Sequence, residues 1–399
     1  MRLLSRHGKS LAVVAICSAG MAVVIGGCSA PARLDPVPSP IAGDIPFLNI
    51  ESARFIGDND VALKEELRRA LTLSHRHGTT RAAPPSFLAI SGGGVEGAFG
   101  AGLLVGWSEH GDRPQFSIVT GTSAGALVAP FVFLGREFDW ALEKMYTSVT
   151  EEEIATKRFI VAALGTDALM DSTPLLRTIT KYLDARILQR IAEEYRRGRL
   201  LLISTANLDV GKLVIWNIGA IAASDNPQRL EIVQKIILAS TAVPGVFPPV
   251  MIDIMVGKTK HEEMHVDGGT ISQVFLYPSA LELNKIMAAR KNSVVAEAYI
   301  IRNGRVTLPP GKIERQLPAI AQRAIATMLT SNGVGDLYRI YATTQRDHIG
   351  YNLAFIEEEF REFADGPFDR VYMTKLFDYG RSRGRQGYAW QHNPPDFSH

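Results

Sequence analysis

Three consecutive glycines, Gly92-Gly93-Gly94, follow the apolar run Phe87-Leu88-Ala89-Ile90 and lead into Val95-Glu96-Gly97-Ala98-Phe99-Gly100. A short apolar run ending in glycine predicts a buried strand, a loop bare of side chains and a helix over residues 98–107. Such a loop lets several N–H groups converge on one anionic atom, and a helix N-terminus adds its dipole. Negative charge, permanent or transient, is expected there. Gly92 to Gly97 also satisfies G-x-G-x-x-G, but a dinucleotide fold needs an acid at the end of the next strand to hold a ribose hydroxyl. Here the next strand, 116–120, runs into Gly121-Thr122-Ser123. No Gly-Lys-Ser/Thr follows the loop, so a P-loop does not fit either.

Gly121-Thr122-Ser123-Ala124-Gly125 fits G-x-S-x-G and lies between that strand and a predicted helix at 126–134. A nucleophile elbow needs this context, because the serine must sit on a sharp strand-to-helix turn. Small residues at 121, 124 and 125 permit the turn, and the helix N-terminus favours negative charge near Oγ. The competing reading is a tight turn in which Ser123 caps the helix. None of the nine histidines stands out as a base. Asp267, after an apolar strand and before Gly268-Gly269, is placed to take a proton from a serine directly. Its competing reading is a hairpin-turn aspartate. His261-Glu262-Glu263-Met264-His265 is a literal H-E-x-x-H, which raises a zinc protease using His261 and His265. That chemistry requires a helix, and a hairpin strand is expected here instead.

Elsewhere, Asp60 is placed to cap a helix at 61–73, and Asp171-Ser172-Thr173-Pro174 starts another. Strands are predicted at 200–205 and 213–216 around a turn at 207–211, with a helix at 230–238. A hairpin of 251–255 with 263–266 leads to Asp267, and 294–301 is β-rich. From Ile313 the pattern is mostly helical. Strand–turn–helix twice in succession indicates an α/β arrangement with a mainly parallel sheet.

The 399-residue chain carries a formal charge of +2, but Arg2, Arg6 and Lys9 precede any acid, and without them the balance is −1. A basic nucleic-acid footprint is therefore absent. The basic start and the apolar run 11–25 resemble an export signal. It ends Ile25-Gly26-Gly27-Cys28, which resembles a bacterial lipobox with Cys28 as the lipidated residue; Ser29 after it suggests outer-membrane sorting. Both cysteines, Cys17 and Cys28, fall in this region, so the remainder has no disulfide framework and no thiolate metal site. Five prolines between 31 and 46 suggest an extended tether.

Taken together, the Gly-rich turn, the Ser123 elbow, Asp267-Gly268-Gly269 and Ala239-Ser240-Thr241-Ala242-Val243-Pro244-Gly245-Val246-Phe247-Pro248-Pro249 resemble the patatin-like phospholipases, over residues 85–300. The resemblance implies a three-layer α/β/α fold with a mainly parallel central sheet and a Ser–Asp dyad. Ser123 would be the nucleophile, Asp267 the proton acceptor, and Gly92, Gly93 and Gly94 the oxyanion hole. Gly97, Gly121, Gly125, Gly268 and Gly269 would support these motifs. No metal or cofactor is implied. Many relatives carry Arg or Lys where this chain has Glu96, which weakens the case for an anionic headgroup held at the loop. Glu96 is expected to face solvent, leaving the backbone to act without a neighbouring cation.

The expected organisation is a signal peptide at 1–27, a lipid-anchor site and tether at 28–50, a catalytic domain at 51–310, and a mostly helical C-terminal extension at 311–399 packed on that domain. The expected activity is hydrolysis of lipid esters, of the phospholipase A or lysophospholipase kind, on membrane lipid or lysolipid at the bacterial envelope. The alternative is a non-catalytic lipid-binding lipoprotein of the same fold. No nucleic acid is expected as a partner, and no protein partner can be inferred.

Overall fold

The computed structural model describes residues 32–38, 45–57, 60–77, 85–157, 167–278, 280–287 and 295–397. The expected export signal and Cys28 lie outside these. In chain order the main elements are β1 (Arg54–Ile56), α1 (Asp60–His77), β2 (Ser86–Ile90), α2 (Gly97–His110), β3 (Ile118–Thr122), α3 (Ala124–Leu134), α4 (Asp139–Thr147), α5 (Thr173–Tyr182) and α6 (Ala185–Arg196). There follow β4 (Leu200–Asn207), β5 (Lys212–Asn217), α7 (Ile218–Ala223), α8 (Arg229–Ser240), β6 (Val250–Val256), β7 (Thr259–Asp267), β8 (Glu297–Ile301), α9 (Leu317–Arg346), β9 (Gly350–Ala354) and α10 (Arg370–Arg385).

The nine strands named here share one sheet, whose main path runs β1-β5-β4-β3-β2-β8-β9, and Thr156–Lys157 pairs separately with Met170–Asp171. Every pairing from β4 through β3, β2 and β8 to β9 is parallel, while β5, β1 and the β6–β7 hairpin join antiparallel. The parallel strands are apolar on both faces, as a sheet covered on both sides requires. Leu88 and Ile90 enter one core, which includes α2, α3 and α10, while Phe87 and Ala89 enter the other, with α1 and the C-terminal half of α9. The result is a three-layer α/β/α fold. From β2 the chain goes outward through β3 to β4, and it later returns to fill the other side with β8 and β9. The carboxyl ends of β2 and β8 thus flank a topological switch point, where open α/β sheets bind their ligands.

Two parts of the expected organisation change. Residues 311–399 are not simply laid on the domain, because β9 within them is a sheet strand. Residues 32–38 and 45–50, expected as tether, are docked. Arg33 makes a bidentate pair with Asp209 at 2.8 Å, and Leu34 N–H donates to Glu262 at 2.8 Å. Phe47 is buried edge-on against Trp216.

The largest helix contact is between α2 and α10, which meet backbone to backbone. A Cβ at Gly102 or Gly106 would fall on the carbonyls of Phe377 and Arg381, and one at Gly380 or Gly384 on those of Phe99 and Leu103. Overpacking such a seam costs about 1–3 kcal/mol. Gly102→Val should therefore lower the unfolding free energy by about 1–3 kcal/mol, read as a lower urea midpoint at unchanged slope, whereas an unchanged midpoint would refute the close contact.

Candidate active site

Ser123 and Asp267 come together because one edge of β4 serves two partners in turn. Residues Leu200 to Ser204 pair with β3, and Thr205 to Asn207 pair with the end of β7. Thr122 stands opposite Ser204 and Asp267 opposite Thr205, so the two partner strands end side by side. The Thr122 and Ser204 hydroxyls share a hydrogen bond of 2.7 Å.

Ser123 follows at φ 54°, ψ −121°, as the N-cap of α3. A non-glycine residue held there stores strain on the order of 1–3 kcal/mol. Its N–H donates to Ser240 Oγ at 3.0 Å, and its carbonyl accepts from Ala126 N–H at 2.8 Å. Gly121 and Gly125 make the elbow possible. A Cβ on Gly121 would meet the Gly125 carbonyl, and one on Gly125 the carbonyl of Ile90. The 239–249 stretch braces both strand ends, since Ala242 carbonyl accepts from Asp267 N–H at 2.9 Å.

Asp267 is buried and accepts from Gly269 N–H at 2.7 Å. Burial pushes its carboxyl up to about 6, while hydrogen bonds from the Ser123 hydroxyl and the Gly269 amide hold it back from rising further. Gly268 packs on Ser204, with 2.8 Å from the Gly268 Cβ position to the Ser204 carbonyl oxygen. The resulting pair is a serine hydroxyl beside a buried carboxyl whose pKa is raised to about 6.

The Gly-rich loop is fixed by residues the sequence reading missed. Asn303 donates from its N–H to Ser91 Oγ at 2.8 Å and from Nδ2 to Ser91 carbonyl at 2.9 Å, while its Oδ1 accepts from Gly100 N–H at 3.0 Å. A Cβ on Gly93 would fall on the Asn303 carbonyl, whereas one on Gly94 would meet only open space. Gly92 departs from expectation. Its N–H donates to Gln273 carbonyl at 3.0 Å and is already used. The Gly93 and Gly94 amides have no backbone acceptor among the described residues, which leaves them for a ligand. Gly97, at the start of α2, lies against Tyr146 and Ala124, bringing two helix N-termini together at the site.

Above these groups lies a cavity of about 700 Å³, walled in part by Gly93, Gly94, Ser123, Asp267, Arg302 and Met328. A second, apolar cavity of about 180 Å³ also borders Ser123, between Leu127, Leu175, Ile179, Phe247 and Phe368. Glu96 corrects the sequence reading, because it lies in the wall of the larger cavity rather than in solvent. Burial raises its carboxyl, while the fields of Arg305 and Arg302 and a hydrogen bond from Tyr372 oppose that rise. The loop therefore does have cations for neighbours. The sequence signal for them was a polar triplet, Arg302-Asn303-Gly304, straight after a β-rich run.

The H-E-x-x-H pattern is on β7, not on a helix. Four residues along a strand separate His261 from His265 by about 13 Å, too far to share a metal. His265 is fully buried, which lowers its pKa, and it is used internally. Trp216 Nε1 donates to Thr205 Oγ1 at 2.8 Å, Thr205 reaches His265 Nδ1 at 2.8 Å, and His265 Nε2 donates to Glu263 at 3.1 Å. Arg54 closes the chain on Glu263 at 2.7 Å. The zinc reading is thus overturned. Among the described residues no helix is long and apolar enough to cross a membrane.

The fold and this site define a parallel α/β domain with a ligand cavity at the carboxyl ends of its strands. Residues 88–278 match the family model for patatin-like phospholipases, and the chain carries a domain of that family of lipid hydrolases. No curated protein sequence matches the chain. The crystal structure of VipD from Legionella pneumophila aligns at 12% identity and a TM-score of 0.33, covering 79% of this chain and 73% of that one. A likeness that faint carries no argument.

Since the native Asp267 carboxyl titrates at about 6, above its ordinary 3.8, the folded chain binds this proton more tightly than the unfolded chain does. Ionisation therefore costs the fold on the order of 2–3 kcal/mol as pH rises from below 4 to above 6. Asp267→Asn should melt higher than the natural protein at pH 7–8, with the gap closing below pH 4. A variant less stable at every pH would overturn this assignment.

Proposed function

We propose that the protein is a serine-dependent lipid ester hydrolase, of the phospholipase A or lysophospholipase kind. The observation that carries this reading is a strained Ser123 set beside the buried Asp267 carboxylate and the unused Gly93 and Gly94 amides. Ser123 Oγ attacks the ester carbonyl as its proton passes to Asp267. The tetrahedral oxyanion is held by the Gly93 and Gly94 amides, each such donor being worth about 2.7–4 kcal/mol of barrier. Collapse breaks the ester C–O bond, and the leaving alcohol takes the proton back from Asp267. Water then gives its proton to Asp267 and attacks the acyl-enzyme. In the final collapse Ser123 recovers the proton and the fatty acid departs. No metal or cofactor enters this sequence.

The apolar cavity beside Ser123 suits the acyl chain, and the larger one suits the remainder of the lipid. Leu317, Ile320, Ile325 and Met328 on α9 are exposed, and two of these residues also line the larger cavity. An apolar rim at the mouth favours substrate taken from a bilayer. Lipidation at Cys28 and retention at the outer membrane of the cell envelope belong to the same proposal and rest on the sequence pattern.

Purified protein should release fatty acid from lysophospholipid, and Ser123→Ala should lower kcat by at least about a thousandfold without lowering the melting point. Turnover that survives in Ser123→Ala would refute the mechanism. In the natural protein kcat/KM should rise with pH through about 6 as Asp267 ionises, and a flat profile from pH 5 to 8 would exclude Asp267 as the base. Mass spectrometry of protein from bacterial membranes should find a lipid on Cys28; an intact Met1 would sink the anchor.

A further inference from the structure

Arg302 is an anomaly within the larger cavity. It follows β8 directly, is only 5% exposed, and its backbone N–H donates to Ala354 carbonyl at 2.8 Å. Of its side-chain nitrogens, Nε donates to Arg305 carbonyl at 3.3 Å. Nη1 and Nη2 have no hydrogen-bond partner among the described residues. One end of the fork packs on Gly333 of α9, and Nη2 lies 3.7 Å from the position of a Cβ on Gly304. Glu96 and Asp336 act on it through their fields, with no hydrogen bond from either. Asp336 is already engaged, accepting from Gln273 N–H at 2.7 Å and pairing with Arg339.

A buried guanidinium with two unused donor groups is costly unless something completes it. Its neighbour Arg305 turns its Nη2 to backbone, donating to Phe360 carbonyl at 2.6 Å and Glu362 carbonyl at 2.9 Å, although its Nε has no partner. Arg302 instead keeps its planar fork at the wall of a cavity that also holds Ser123 and Asp267. Such a fork matches phosphate oxygens in a bidentate way.

We propose that Arg302 binds the phosphate of the substrate headgroup, making this a site for phosphate-bearing lipids rather than neutral glycerides. The proposal deepens the hydrolase reading and rests on it for the identity of the bound lipid. Strand β8 thereby supplies the cation that the Gly-rich loop, with Glu96 in place of a base, does not.

The test compares two ligands with the same acyl chain, lysophosphatidylcholine and monoacylglycerol, below their critical micelle concentrations. Binding is measured on Ser123→Ala protein, so the outcome does not depend on turnover. That protein should bind the lysophospholipid more tightly, and Arg302→Gln added to it should weaken this binding about ten- to a hundredfold while leaving monoacylglycerol binding within about twofold. Arg302→Lys, which keeps the charge and loses the fork, should fall between. Equal losses for both lipids would make Arg302 structural and overturn the proposal, as would no change in the ratio for either variant. Inorganic phosphate separates the sources. Displacement of lysophosphatidylcholine only at high millimolar phosphate supports a lipid headgroup, whereas tight phosphate binding without the lipid overturns that assignment. Phosphate-dependent lipid binding in a protein that hydrolyses neither lipid would refute the hydrolase reading and leave Arg302 in place.

Discussion

The site depends on a single edge of β4 that changes partner between Ser204 and Thr205. Register in a sheet is strict, because a slip of one residue turns every side chain to the opposite face. Once β3 and β7 are paired along that edge, Ser123 and Asp267 have almost no freedom to be anywhere but beside each other. The Ser240 hydroxyl and Ala242 carbonyl then tie the two strand ends to the same short stretch of chain. Backbone pairing sets the position, and side chains only refine it.

Several costly features converge within this frame. They include a strained serine, a carboxylate under apolar cover, and two donors left open on a glycine loop. Each is tolerated because the surroundings are over-determined. Asn303 spans the loop from Ser91 to Gly100, and α2 behind it is locked against α10 along a seam of glycines. The rigid parts are those that touch the loop, and the open parts are those that face the cavity.

Much of this was legible in the sequence. The strand–glycine–helix pattern at 87–100, the elbow at Ser123 and the strand-end aspartate at 267 are local, and local chemistry leaves local marks. Gly97 and Gly125 proved to be inside helices that start slightly earlier than periodicity suggested. What stayed hidden was tertiary. Gly350–Ala354 is a parallel strand of five residues between two helices, too short to stand out from a helical region. The use of Gly92 by Gln273, the half-burial of Glu96 and the convergence of Arg302 on the loop all depend on partners far away in the chain. His265 shows the reverse case, a motif complete in letters whose strand conformation removes its meaning.

The order in which the chain is made gives the α2–α10 seam another significance. The elbow and loop emerge early from the ribosome, whereas β8, with Arg302 and Asn303, and α10, which backs the loop, come last. A partly synthesised chain would hold the serine without the scaffold that shapes the space around it. The space around Ser123 is therefore complete only once residues 297–385 have joined the fold.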